Sequence, residues 1–251
     1  MNKVSTRLAN QDLVNIARQQ YENKQRSKLP SIVVNLPSRG LIYPESHPLR
    51  SGVIEIRYMT AYDEDILTNT SYMQAGIMFD KLLESIIISP VSIHDIANTD
   101  RDALIIAARI VSYGAEYDVT ITNPTTKTVL ERQVDLNKIS HKSFDLVPDT
   151  NGEFDYDVNG IKLKFTYNVR IKEGMVISEL LQNIITQIND SRLKTDIESF
   201  IRYEFLARDA KRFRTYYIEN APGLDFNYEF EGEDGSTFIT PFPVAGDLFW
   251  V

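Results

Sequence analysis

The apolar positions of this chain fall into a few distinct rhythms. Residues 10–28, NQDLVNIARQQYENKQRSK, place Leu13, Ile16, Ala17 and Tyr21 at helical spacing behind Asn10, a suitable cap. The stripe is thin, so this helix leans on something else or stays partly free, and it reads as an N-terminal arm, 1–29, before a body of 30–251. KLPSIVVNLPSRGLIYPESHP follows, where Pro30, Pro37, Pro44 and Pro48 exclude helix and favour extended pieces joined by turns. GVIEIRYMT alternates as a strand. Helical patterns then run near 62–69 and 72–87, the second apolar over most of its circumference and so expected to be buried. NTDRDALIIAARIVSYG is the clearest helix, with Thr99 as the expected cap, Asp100 and Asp102 near its positive end and Gly114 closing it.

Beyond residue 115 the period shortens. AEYDVTITNPTTKTVLERQVDLNKI sets two β-rich runs around Asn123-Pro124, a hairpin signal. FDLVPDTNGEFDYDVNGIKLKFTYNVRI predicts one or two more strands, punctuated by Asn151-Gly152 and Asn159-Gly160. Residues 175–219 return to helix in two or three pieces around Asn189–Ser191, and the last thirty are strands and loops. Helices interleaved with antiparallel pairs predict an α+β fold, with sub-modules at 30–115 and 116–251.

Composition narrows the function. A net charge of −8 argues against a nucleic-acid binder, which needs concentrated Lys and Arg. No apolar run approaches a membrane span, and the N-terminus lacks a secretory apolar core. With no cysteine, disulfides, thiolate catalysis and Cys-ligated zinc are excluded together, and the expected setting is cytoplasm. His47, His94 and His141 lie far apart, without a carboxylate or second histidine at ligand spacing, and read as surface or turn residues. PSRG lacks the glycine spacing of a phosphate loop. DTNGEFDYD is rich in oxygen ligands but misses the calcium-loop spacing and its final glutamate, so it reads as a solvated turn. The expectation is a protein without catalytic residues, cofactor or metal.

Two stretches invite an interaction reading. In LARDAKRFRTYYIENAPGLDF a helix would bring Asp209 to Arg212, forming either a solvated charged face or a contact surface. The chain also closes on Leu248, Phe249, Trp250 and Val251. Those residues either pack on the parent core or anchor in a partner's groove.

Five segments in order, LPSRGLIYP, GVIEIRYMTAYDEDILTN, ARDAKRFRTYY, PGLDFNYEFEGEDG and LFW, resemble the baseplate hub assembly proteins of contractile-tailed phages of the T-even kind, over roughly residues 30–251. The resemblance implies a non-enzymatic assembly factor that binds a hub or spike subunit in the host cytoplasm; the alternative is a structural subunit retained in the virion baseplate. Neither nucleic acid nor membrane is an expected partner, and self-association is left open. The expected contact residues are Pro37, Arg39 and Tyr43, then Asp209, Arg212 and Arg214, then Phe249 and Trp250. Many relatives carry Cys-x-x-Cys at each of two hairpin tips, and the matching positions here are Asn123 with Thr126 and Glu231 with Asp234. Such residues make a poor tetrahedral set. The expected fold therefore includes a zinc-ribbon-like pair of hairpins that has lost its cysteines, its tips held by hydrogen bonds such as a Glu231 or Asp234 carboxylate on turn amides.

Overall fold

The computed structural model describes residues 28–171, 174–233, 235–244 and 248–249. The N-terminal arm helix expected over 10–28, together with Asp234 and Trp250, falls outside the described residues, apart from Lys28. Among the described residues the fold is α+β, with seven α-helices and antiparallel strand pairs. The chain forms two compact units. The described part of the first is 28–33 and 54–90; the second comprises 34–53 and the chain from 91 onward. Strands β1 (Ser31–Asn35) and β2 (Val53–Arg57) pair with each other, and both cross the division between the units.

In the first unit, α1 (Ala61–Leu67), α2 (Thr70–Gln74) and α3 (Met78–Ile86) follow β2. The expected single helix over 72–87 is broken at Gly76, whose φ of +66° is left-handed, and α3 restarts behind Ile77. Thr60 and Asp63 form a capping box at α1, each satisfying the other's backbone N–H. The Asp63 carboxylate also accepts both Nη groups of Arg57, at 2.7 and 2.9 Å, and Oγ of Ser85 at 2.6 Å. Arg57 and Asp63 are buried, so β2, α1 and α3 meet at one desolvated ion pair.

The second unit is built around α4 (Asn98–Tyr113) and several small sheets. Thr99 does not cap α4: the helix begins at Asn98 behind Ala97, and Asp100 turns inward instead of facing solvent. Strands β3 (Glu116–Thr122) and β4 (Val129–Asp135) form the hairpin predicted around Asn123-Pro124. The short β5 (Ser140–His141) pairs with β9 (Leu224–Asp225). Strands β6 (Glu153–Val158) and β7 (Ile161–Thr166) meet at Asn159-Gly160, both at positive φ (52° and 89°), the two-residue turn that Asn-Gly favours.

Within the expected helical stretch, α5 (Ile177–Ile184) gives way to β8 (Ile185–Ile188), which adds a third strand beside β7. Helices α6 (Lys194–Tyr203) and α7 (Ala207–Glu219) complete it. α7 turns Ala210, Phe213 and Tyr217 inward at helical spacing. Phe213 and Tyr217 pack on Phe165, and Tyr156 packs on Phe213 and Tyr216, so aromatic edges bind α7 to the sheet. The final hairpin pairs β10 (Asn227–Glu231) with β11 (Thr237–Pro241).

Candidate functional site

The proline-rich stretch folds as consecutive tight turns against α4. Arg39 N–H donates to Leu36 O, Leu41 N–H to Ser38 O and Tyr43 N–H to Gly40 O. Arg39 and Gly40 both take positive φ, 53° and 76°. Asp100, at the N-terminal end of α4, receives Ser38 N–H at 3.0 Å, Ser38 Oγ at 2.7 Å and Tyr43 O–H at 2.7 Å. Ala97 N–H in turn donates to the Tyr43 hydroxyl at 3.1 Å. All of these groups are buried. Burial pushes the Asp100 carboxyl above the usual carboxylate range, against the pull of its donors, and raises the Tyr43 phenol strongly.

Pro37 and Tyr43, expected at a partner contact, are therefore interior in this chain. Arg39 is the exposed member of that trio, and its guanidinium also donates to Phe144 O.

Leu248 and Phe249 have a comparable anchor. Arg109, buried on α4, donates to Leu248 O at 2.6 Å, to Gly114 O and to Glu116 O at 2.9 Å. Phe249 is 2% exposed and sits edge-on to Tyr113, and Leu248 is fully covered. Of the two readings for the tip, Leu248 and Phe249 take the first and pack on their own unit. Among the described residues no carboxylate pairs with Arg109; three carbonyls solvate it, and burial lowers its pKa. Arg109→Met should loosen Leu248 and Phe249, since losing charge-assisted bonds costs about 1.5–3 kcal/mol. Amide exchange at Leu248 and Phe249 should then quicken by about ten- to a hundredfold.

The two hairpin tips are held differently from each other. At the first, the buried Asn123 accepts Thr125 N–H at 2.8 Å and Thr126 N–H at 3.1 Å through Oδ1, a local turn that needs no metal. The Thr126 hydroxyl meets that of Thr128 at 2.8 Å. At the second, Gly232 N–H donates to Ser236 O and Gly235 N–H to Gly232 O. It is the Glu231 backbone carbonyl, not its carboxylate, that takes part in the tie between hairpins: it receives Nη2 and Nε of Arg132 at 2.8 and 3.2 Å. No group of three or more metal-ligating side chains gathers among the described residues.

The exposed chemistry lies on α7. Asp209 is buried at its N-terminal turn, 3.3 Å from Asn159 Nδ2. The anticipated Asp209–Arg212 contact forms at 3.8 Å, and Arg208 Nε lies 3.5 Å from the same carboxylate. The side chains of Arg208 and Arg212 remain 73% and 74% exposed, with Lys211 exposed beside them and Arg214 half-buried. Three cations in the first six residues of a helix oppose its macrodipole and repel one another. Helix stability does not favour such placement. The sequence points to this segment, and the signal in it for Arg208 and Lys211 is their spacing with Arg212 on one helical face.

The histidines stay separate. His47 Nδ1 accepts Leu49 N–H, His94 meets Arg170 at 2.9 Å, and His141 is exposed on β5.

What this geometry defines is a protein whose buried polar groups fasten loops and whose exposed charge is presented on a helix. Residues 30–231 match the model of the family described as T4 bacteriophage base plate protein, and the chain belongs to that family. It is a phage baseplate protein. No curated protein matches the chain, and no solved structure does. Among the described residues no helix is long and apolar enough to cross a membrane.

Proposed function

We propose that this protein is an assembly factor of the baseplate hub, binding a central hub or spike subunit during tail construction without making or breaking bonds. The observation that carries the reading is the exposed basic face of α7, whose charges work against the helix that bears them and so are better explained by a partner. Family membership makes that partner a phage protein. The ordered resemblance of the five segments to hub assembly proteins favours the hub. Arg39, Arg212 and Arg214 belong to the contact set; Pro37, Tyr43, Asp209 and Phe249 support it from inside. Release would follow from differential affinity, tight for the free subunit and weak once neighbouring subunits compete for its surface.

The family description itself, a base plate protein, favours a second reading as a minor subunit kept in the particle. A tagged copy recovered from infected cells should bring hub or spike subunits with it, and mass spectrometry of purified virions should lack the chain. Its presence at stoichiometric level in virions would establish the structural reading. Recovery of no baseplate protein would defeat both.

A further inference from the structure

The structure carries two surfaces that complement each other on the same chain. The first is the outer face of α7. Arg208 and Arg212 are spaced i, i+4, with Lys211 beside them and the apolar Leu206 and Ile218 (55% and 69% exposed) at the two ends. The second is the outer face of the β10–β11 hairpin. Glu229 and Glu231 alternate with the buried Phe230, so they project to the opposite side from it. Their cross-strand partners, Ile239 and Thr237, share that side, and Ile239 is 67% exposed. Glu233, also exposed, follows in the turn beyond the strand. Among the described residues, no hydrogen bond or ion pair engages the carboxylates of Glu229, Glu231 or Glu233.

The spacings match. Residues four apart on a helix advance about 6 Å along its axis, and residues two apart on a strand advance about 6.8 Å. Two rungs of positive charge can thus face two rungs of negative charge.

We infer that α7 of one copy docks on the outer face of the β10–β11 hairpin of a second copy, Arg208, Lys211 and Arg212 meeting Glu229, Glu231 and Glu233. The surfaces are different on the two sides, so the contact is head-to-tail and propagates to a ring or a short filament. One helix face on one hairpin is a small, charge-dominated interface, weak and salt-sensitive. Because both surfaces are acidic or basic in an otherwise acidic chain, the pairing also explains why the cations are gathered instead of dispersed. The inference draws on the same face of α7 as the hub reading, so a hub subunit and a second copy compete for it. Self-association of the chain alone tests the inference, and capture from infected cells tests the hub reading.

Sedimentation velocity of the full chain tests it. At about 20 mM salt the mean mass should rise with concentration above the 28.8 kDa of one chain, and at about 500 mM it should return to that value. R208A/K211A/R212A and E229Q/E231Q should each weaken association by about tenfold, two or three exposed pairs being lost, with circular dichroism unchanged. An equimolar mixture of the two variants is the decisive sample. Each retains one intact half, so the mixture should form a dimer and nothing larger. Single-chain mass for the wild type at low salt, or a mixture that stays monomeric while the wild type associates, would overturn the proposal. So would a 20-base-pair DNA duplex, used as a probe, that binds the wild type in place of a second copy and is lost only with the helix variant.

Discussion

Asp63→Ala should be among the most damaging single changes in this protein, costing about 3–5 kcal/mol, because it leaves the buried Arg57 guanidinium without its counter-charge. The loss reaches three elements at once: Asp63 binds Arg57 of β2, Ser85 of α3 and the N–H and hydroxyl of Thr60 at the start of α1. Burial alone would raise this carboxyl. The donors from Arg57, Ser85 and Thr60, with the Arg57 charge, more than offset that and hold it below the ordinary carboxylate range. A depressed carboxylate stabilises the fold above its unfolded pKa of about 3.9, and the contribution disappears as pH falls through the lower folded value. The first unit should therefore loosen below about pH 4 through this group.

Two units need not melt together, so the measurement is amide exchange resolved to α1 and α3, not one global transition. The double change Arg57→Met with Asp63→Leu should recover most of the loss, since a buried pair exchanged for apolar side chains is often neutral. If Asp63→Ala leaves exchange in α1 and α3 unaltered, the pair does not hold this unit together.

Gly40→Ala comes next, and it acts on the turns between β1 and β2. Gly40 has a φ of +76°, and a Cβ there would stand 2.5 Å from Arg50 O and 2.7 Å from Leu49 O. Both obstacles are backbone atoms, and Arg50 is itself fixed by donating to Leu41 O and Tyr43 O at 3.0 Å. The left-handed conformation costs an L-residue about 1–2 kcal/mol, and the forced displacement adds about 1–3 kcal/mol. Gly160→Ala separates the two contributions, because Gly160 has a φ of +89° and nothing within 4 Å of its added Cβ. In chemical denaturation, Gly40→Ala should lower stability by clearly more than Gly160→Ala does. Equal losses would mean that the close approach to Arg50 is not a constraint. If the larger loss appears, capture of the hub partner should weaken with it, since Arg39 immediately precedes Gly40 in the same turns.

Much of the local architecture was legible in the residues. The Asn159-Gly160 turn, the β3–β4 hairpin around Asn123-Pro124 and the long helix ending at Gly114 all arise from signals within a few residues of one another. Shorter features were less distinct. β8 was hidden because IITQI is too brief for period to separate strand from helix, and only its place beside β7 decides it. The break between α2 and α3 rested on one glycine, which a helix can also tolerate.

The candidate site divided along the same line. Asp209–Arg212 was readable because both residues sit on one helix. The inward roles of Pro37 and Tyr43 were not, and neither was the clamp by Arg109; for Phe249, packing on the parent core was one of the two readings that the residues left open.

By itself, then, the sequence determined where the longer helices and the hairpins lie, the lack of any thiol chemistry, and the acidic balance against which a basic helix stands out. Tertiary structure alone decided which polar groups are spent on holding the chain together. Asp100 meets Ser38 across 62 residues and Arg109 meets Leu248 across 139, and an Asp or Arg looks the same in a local pattern whether solvent or a distant carbonyl satisfies it. Periodicity reports which face of an element is apolar; the partner of a buried charge is fixed only when the chain has closed around it.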